Sequence, residues 1–93
     1  MNTIWKFPLA LTETQWVTMP DLRIDARLGT KAKVLTVGMI DGAVYLWAMV
    51  DPTTPRVTRK VHIICTGDEC PFRYEDYVGT IQNGTDILHV FVG

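Results

Sequence analysis

Four side chains in the second half of the sequence carry nitrogen or sulfur atoms that could bind a metal or attack a substrate: His62, Cys65, Cys70 and His89. Zinc needs four such ligands converging in a tetrahedron. His62 and Cys65 lie in a run that alternates like a β-strand, and residues three apart on a strand point to opposite faces. We therefore predict a buried thiol and two sheet histidines, with no metal site and no cofactor.

The motifs of nucleophilic and phosphate-transfer catalysis are missing from the sequence. No Gly-x-Ser-x-Gly elbow, Walker loop or Gly-x-Gly-x-x-Gly loop is present. The carboxylate pairs Asp68-Glu69 and Glu75-Asp76 are neighbours in a polar segment, where carboxylates are normally solvated. The sequence predicts a protein that is not an enzyme.

Binding chemistry is better represented than catalysis. Arg56, Arg59 and Lys60 follow a proline-rich loop, and such cations bind phosphate or carboxylate, while Trp and Tyr rings can stack on a base. The alternative is that the cations only protect a sheet edge and that the rings form the core. We predict that a small anionic ligand binds six residues: Trp5, Lys6, Trp47, Arg59, Lys60 and His62.

The stretch from residue 33 to residue 51 predicts a hairpin, because Asp41-Gly42 suits a type I′ turn between two β-prone runs. Both faces of the second strand are apolar. One face carries Val44, Leu46, Ala48 and Val50, and the other carries Ala43, Tyr45, Trp47 and Met49. Covering both faces requires a second sheet or a second subunit. We predict a homo-oligomer with Tyr45, Trp47 and Met49 in its interface.

Further strands are predicted on both sides of this hairpin. Residues 3–7 alternate and are expected to end at Pro8, and residues 16–19 form a strand stopped by Pro20. Residues 51–55 predict a rigid loop, residues 57–65 a strand and residues 66–76 an irregular connection. Residues 77–82 and 85–92 predict a second hairpin through Asn83-Gly84. This register places Gly38 opposite Tyr45 and Gly79 opposite Leu88.

Residues 21–28 fit two structures. Their strict apolar–charged alternation predicts an exposed strand, whereas Asp21 and Gly29 stand where a helix would be capped. Arg23 and Arg27 are like charges four residues apart, which disfavours the helix. We favour the strand.

Together these segments predict a single all-β domain over residues 1–93. Its form is a small antiparallel sandwich or partly open barrel of about six to seven strands with two Asx-Gly hairpins, or an α+β fold if residues 21–28 form a short helix. The sequence has no apolar run of about 20 residues and no leader pattern, so we expect a soluble protein with reduced thiols and no membrane contact. The formal net charge of −1 argues against long nucleic acid.

Several stretches resemble a small, uncharacterised family of short proteins encoded mainly by bacteriophages and prophages. They are Ile4-Trp5-Lys6-Phe7-Pro8-Leu9, Met19-Pro20, the run from Leu46 to Pro52, Thr66-Gly67, Tyr77-Val78-Gly79-Thr80 and His89-Val90-Phe91. The likeness departs at residues 21–30 and 68–76. It implies a phage setting and supplies no catalytic residue.

This setting and the surplus apolar strand surface predict a non-enzymatic binding protein in the host cytoplasm. It would serve host take-over or counter-defence, either by binding a host protein or by sequestering a small anionic signal such as a cyclic nucleotide. The alternative is a structural or assembly protein of the phage particle.

Overall fold

A computed structural model describes residues 1–22 and 33–93 of the chain. In these residues the backbone forms seven β-strands and a three-residue 3-10 turn at Tyr74–Asp76. The strands are β1 (Thr3–Leu9), β2 (Thr14–Pro20), β3 (Lys33–Ile40), β4 (Ala43–Val50), β5 (Arg56–Cys65), β6 (Tyr77–Asn83) and β7 (Asp86–Val92). A strand or short helix was predicted for residues 21–28. Most of that segment, residues 23–28, lies outside the described residues.

The strands form two antiparallel sheets with a shared core between them. The first sheet has the order β1-β4-β3, and the second has the order β2-β5-β7-β6. Within residues 1–22 and 33–93, the two sheets do not close into a barrel. The predicted all-β class, its antiparallel pairing and both hairpins are therefore confirmed.

The core takes alternate residues of the central strands. Val44, Leu46, Ala48 and Val50 of β4 are at most 2% exposed, because they face the second sheet. The other face of β4 carries Tyr45, Trp47 and Met49, which are only half-buried. The predicted covering of β4 by a second sheet is thus confirmed for one of its two faces.

The first strand corrects one prediction. β1 does not end at Pro8 but continues to Leu9, whose side chain is buried in the core. A proline is tolerated in a strand where its missing N–H would face away from the neighbouring strand. Among the described residues, β1 lies at the edge of its sheet beside β4, which is where a strand tolerates proline.

The two strand glycines have different partners from one another. Gly38 lies opposite Tyr45 as predicted, but Gly79 lies opposite Val90 and not Leu88, because the second hairpin turns at Gly84 and Thr85, with Asn83 paired to Asp86, and not at Asn83-Gly84 as predicted. A Cβ at position 79 would lie 3.0 Å from Cγ1 of Val37 in β3. Gly79 therefore allows β6 to approach the edge of the other sheet closely.

Asp51 organises the loop between β4 and β5. Its buried carboxylate accepts hydrogen bonds from the backbone N–H and the hydroxyl of Thr53, at 2.9 and 2.7 Å. Its own N–H donates to the carbonyl of Asp21 at 2.8 Å, and its Oδ2 lies 3.5 Å from the amino group of Met1. The hydrogen bonds from Thr53 lower the pKa of Asp51, so its charge holds this turn in place.

Candidate functional site

The structure does not bring the six predicted ligand-binding residues together. Trp5 is half-buried against the core, with the Arg56 guanidinium 5.5 Å from its ring centre. Arg59 is also half-buried, and its Nε–H donates a 2.8 Å hydrogen bond to the carbonyl of Gly93. The remaining four lie on two outer surfaces, as follows.

The outer surface of the four-stranded sheet brings together two of these residues, Lys60 and His62 of β5. We call it the histidine face. It consists of Thr14, Trp16, Thr18, Thr58, Lys60, His62, Phe72, Tyr77, Thr80, Ile87, His89 and Phe91, of which all but Phe72 are strand residues. Phe72 reaches this face from the loop between β5 and β6.

The β2–β5 register builds the part of the histidine face that can bind a ligand. Trp16 lies opposite Lys60, and Thr14 lies opposite His62. The Lys60 ammonium is 5.3 Å from the Trp16 ring centre, and Oγ1 of Thr14 is 3.0 Å from Nδ1 of His62. Trp16 is 64% exposed, so a large part of its ring surface is available for stacking. We call Thr14, Trp16, Lys60 and His62 the Trp16 cluster.

His62 contributes the imidazole of the Trp16 cluster. Its ring stacks on Phe72 with 4.1 Å between ring centres and 18° between planes. Burial and, secondarily, the Lys60 ammonium lower the pKa of His62, while Asp76 acts weakly in the opposite direction. The neutral imidazole is therefore favoured near pH 7. Its Nδ1 contacts Thr14, and Nε2 has no hydrogen-bond partner among the described residues, so Nε2 is the ring nitrogen that can bond to a ligand.

His89 sits on the same face in a closed arrangement. Its Nε2 lies 2.7 Å from the Thr66 hydroxyl and its Nδ1 lies 2.9 Å from the Thr80 hydroxyl, which also pairs with the Tyr77 hydroxyl. Both ring nitrogens thus have partners within the protein. His89 therefore supports the sheet and offers no ring nitrogen to a ligand.

Two cavities lie near the end of the sandwich where β1 turns into β2. The first is about 380 Å³ and borders the Trp16 cluster at Thr14, with Phe72, Glu13, Asp68 and Glu69 also in its lining. The second is about 260 Å³; its lining includes Leu11, Glu13, Ile63, Cys65, Asp86 and Leu88.

The cysteines differ from the prediction. Cys65 and Cys70 are both free thiols and both exposed, so the predicted buried thiol is wrong. Cys65 is the last residue of β5, where the covering of the sheet ends. The two histidines do lie in strands, as expected. Within residues 1–22 and 33–93, no group of three or more His, Cys, Asp or Glu side chains is placed to hold a metal ion.

The outer surface of the three-stranded sheet holds the other two predicted ligand residues, Lys6 and Trp47, which are register partners. We call it the aromatic face. It consists of Ile4, Lys6, Pro8, Lys33, Thr36, Gly38, Ile40, Ala43, Tyr45, Trp47 and Met49. The three residues of the predicted oligomer interface belong to it.

Contacts within the aromatic face stay inside its own sheet. The Lys6 ammonium is 4.5 Å from the Tyr45 ring centre, and the Tyr45 and Trp47 rings are 6.2 Å apart. Trp47 also covers Gly38, where an added Cβ would lie 3.3 Å from its ring. Ile4 remains 55% exposed and Ile40 42% exposed. This face therefore presents apolar surface with one lysine near its centre.

A comparison with known protein families identifies the family of this chain. A model described as "Domain of unknown function (DUF7352)" matches residues 1–93. The chain belongs to this family. The DUF7352 match covers the whole chain and confirms the expectation of a small family without an assigned function. Searches of curated proteins and of solved structures gave no match. In the described part of this DUF7352 chain, no helix has the length and apolar character needed to span a membrane.

Sequence reasoning missed Trp16, Thr14 and Phe72 as members of the site. Trp16 was recognised only as one stacking ring among several, because β2 and β5 are about 40 residues apart and their register is not encoded by a short turn. Phe72 lies in an irregular loop whose path has no periodic signal. Alternation did place Lys60 and His62 on the same face of β5.

Proposed function

We propose that this chain is a non-catalytic binding protein that holds a small aromatic anion, of the nucleotide type, on the Trp16 cluster. The observation that carries the proposal is the β2–β5 register, which sets an exposed indole beside an ammonium and an imidazole. A base stacks on Trp16 while its phosphate accepts hydrogen bonds from Lys60 and from the ring of His62 or the Thr14 hydroxyl.

The expected affinity follows from these contacts. Stacking of one base contributes about 1–3 kcal/mol and a charged hydrogen bond about 1.5–3 kcal/mol. A sum of about 2.5–6 kcal/mol corresponds to dissociation constants from tens of micromolar to above a millimolar. Such affinity suits sequestration of a ligand when the protein is abundant.

The biological role that we propose is host take-over or counter-defence in the host cytoplasm, by sequestering a nucleotide signal such as a cyclic nucleotide. This role takes its phage setting from the resemblance of the Ile4–Leu9 and Leu46–Pro52 stretches to phage and prophage proteins. The chemistry of the Trp16 cluster supplies the ligand class.

Isothermal titration tests the proposed ligand. Cyclic mononucleotides and 5′-mononucleotides are expected to bind more tightly than uncharged nucleosides, which lack the phosphate, and than inorganic phosphate, which lacks the base. Lys60→Gln is expected to weaken nucleotide binding about tenfold or more, because it removes a charged hydrogen bond. Lys6→Gln on the aromatic face is the matched control and is expected to leave binding unchanged. Equal heats for all four ligand classes, or none, would contradict the proposal.

A second candidate function is that of a structural or assembly protein of the phage particle. The exposed apolar residues of the aromatic face favour it, because assembly proteins bury such surfaces against neighbouring copies. Mass spectrometry of purified virions separates the two candidates. Stoichiometric presence in the particle supports assembly, and absence supports the nucleotide-binding role.

A further inference from the structure

Carboxylates gather at one end of the sandwich. The short β1–β2 connection brings the end of β1 close to the start of β2, and the pairing of both sheets places the β3–β4 turn, the end of β5 and the β6–β7 turn at the same end. We call it the acidic end. Its carboxylates are Glu13, Asp41, Asp68, Glu69 and Asp86.

The described residues place no lysine or arginine at the acidic end. Lys33 and Arg56 begin their strands at the opposite end, and Lys6, Arg59 and Lys60 lie within strands. Arg73 pairs with Glu75 just before β6, which also begins at the opposite end. The ion pairs found among the described residues involve Asp51 and Glu75, neither of which belongs to the acidic end. The acidic end therefore carries charge that is not neutralised by described cations.

An apolar cavity opens at this end. It is about 260 Å³, and Leu11, Ile63 and Leu88 line it together with Glu13 and Asp86. Leu11 is 53% exposed, although it is a large apolar residue. An apolar cavity with carboxylates in its lining suits a partner that presents an apolar side chain beside a cation.

The aromatic face presents that combination. Ile4 and Lys6 are alternate residues of β1, so both point outward and lie about 6.6 Å apart along the strand. The described part of this face has two lysines, Lys6 and Lys33, and no carboxylate. Two copies of a face with one sign of charge are not complementary to each other, which disfavours a symmetric face-to-face dimer.

We propose that the aromatic face of one copy of this chain packs against the acidic end of the next copy, with Ile4 in the Leu11 cavity and Lys6 beside Glu13 and Asp86. The contact is head-to-tail, because two different surfaces meet. Such contacts form rings when the rotation closes and filaments when it does not. This inference is independent of nucleotide binding, because it uses none of the Trp16 cluster.

The size of the surface sets the strength of the contact. Three strands about 4.8 Å apart and about eight residues long give a face of roughly 14 by 26 Å. This footprint of about 370 Å² is less than half of the roughly 800 Å² that each partner buries in a standard interface. Self-association is therefore concentration-dependent, and it weakens as salt screens the lysine–carboxylate attraction.

Two variants that each disable one surface test the proposal. Lys6→Glu places a carboxylate where the contact needs a cation and leaves the acidic end intact. Glu13→Gln combined with Asp86→Asn removes the two carboxylates that face Lys6 and leaves the aromatic face intact. All three positions are exposed, so the fold should persist, and circular dichroism checks it. If Lys6→Glu unfolds the chain, Ile4→Asp replaces it as the face variant.

Light scattering over a range of concentrations gives the readout. Wild type is expected to form species larger than a monomer as its concentration rises, whereas each variant by itself stays monomeric. An equimolar mixture of the two variants is expected to form a dimer and nothing larger, because only one productive contact remains. Ile87→Asp, an exposed isoleucine on the histidine face, is the matched control and should associate like wild type.

Three results would overturn the proposal. The first is a wild type that stays monomeric at every concentration up to about 1 mM. The second is an acidic-end variant that associates like wild type while the face variant does not, which would indicate a symmetric contact through the aromatic face. The third is a mixture of the two variants that remains monomeric.

Discussion

The two outer faces of the sandwich differ in how far the chain itself covers them. On the histidine face, Phe72 from the β5–β6 loop stacks on His62 and contacts Phe91 at 5.5 Å between ring centres, and hydroxyls occupy both nitrogens of His89. On the aromatic face, the contacts of Lys6, Tyr45 and Trp47 stay within one sheet. The comparison teaches that a loop covers part of the histidine face, around His62 and Phe91, and leaves Trp16 exposed for a ligand, whereas the aromatic face has contacts within its own sheet and keeps Ile4 and Ile40 exposed.

The largest expected effect is on the free energy of unfolding, when buried Phe91 on the histidine face is compared with half-buried Met49 on the aromatic face. Phe91→Ala is expected to lower the free energy of unfolding by about 3–5 kcal/mol, because Phe91 is 8% exposed and touches Phe72 and Tyr77. Met49→Ala on the aromatic face is expected to cost less than half of this at monomeric concentration. Urea unfolding of both variants measures the difference, and equal losses would erase the distinction between the faces.

The next effect concerns the loop that covers the histidine face. Phe72→Ala is expected to cost about 1–3 kcal/mol, because it removes a ring stacked on His62 and in contact with Phe91. The same change should raise the pKa of His62 towards its ordinary value, since burial is the main cause of the present shift. Urea unfolding gives the first quantity and NMR titration of the His62 ring gives the second. An unchanged pKa would show that Phe72 does not shield His62.

A smaller effect is expected from the lysine of the aromatic face. Lys6→Ala removes a cation–π contact with Tyr45, which at an exposed position contributes about 0.5–1 kcal/mol. Thermal unfolding of dilute protein measures the loss, with Lys33→Ala as the control on the same face. A loss above about 2 kcal/mol would mean that Lys6 also supports the core.

The smallest effect is a pH dependence. Because folding lowers the pKa of His62, the unfolded chain binds more protons below about pH 6.5, and His62 therefore destabilises the native state as the pH falls through this window. His62→Gln should flatten the stability profile between pH 7 and the folded-state pKa. Urea unfolding of both proteins at several pH values measures this profile. If the stability of the variant depends on pH as steeply as that of wild type, groups other than His62 cause the dependence.

Much of the architecture was predictable from short-range signals. Asp41-Gly42 set the first hairpin turn, Asn83-Gly84 located the second to within one residue, and alternation identified the buried face of β4. The pairing of Gly79 with Val90 was not predicted, because the second turn lies one residue later than expected and Asn83 pairs with Asp86 as a strand residue. The prediction that β1 ends at Pro8 was wrong, because an edge strand tolerates proline.

The candidate site was harder to predict than the fold. Alternation put Lys60 and His62 on one face, but the pairing of β2 with β5 joins distant segments, so Trp16 and Thr14 could not be placed beside them. Because the sequence does not show which distant strands pair, it also could not show that the six predicted ligand-binding residues lie apart. The exposure of Cys65 depends on where the sheet covering ends, and local sequence does not specify that point.

One NMR experiment tests most directly whether the two faces have different roles, because the three tryptophans report on different surfaces. Trp16 lies on the histidine face, Trp47 on the aromatic face and Trp5 against the core. We predict that diluting the protein moves the indole N–H resonance of Trp47 and leaves that of Trp16 in place. Adding a cyclic mononucleotide to dilute protein should move Trp16 and leave Trp47 in place. Joint movement of both resonances in either experiment, or movement of neither, would contradict the account.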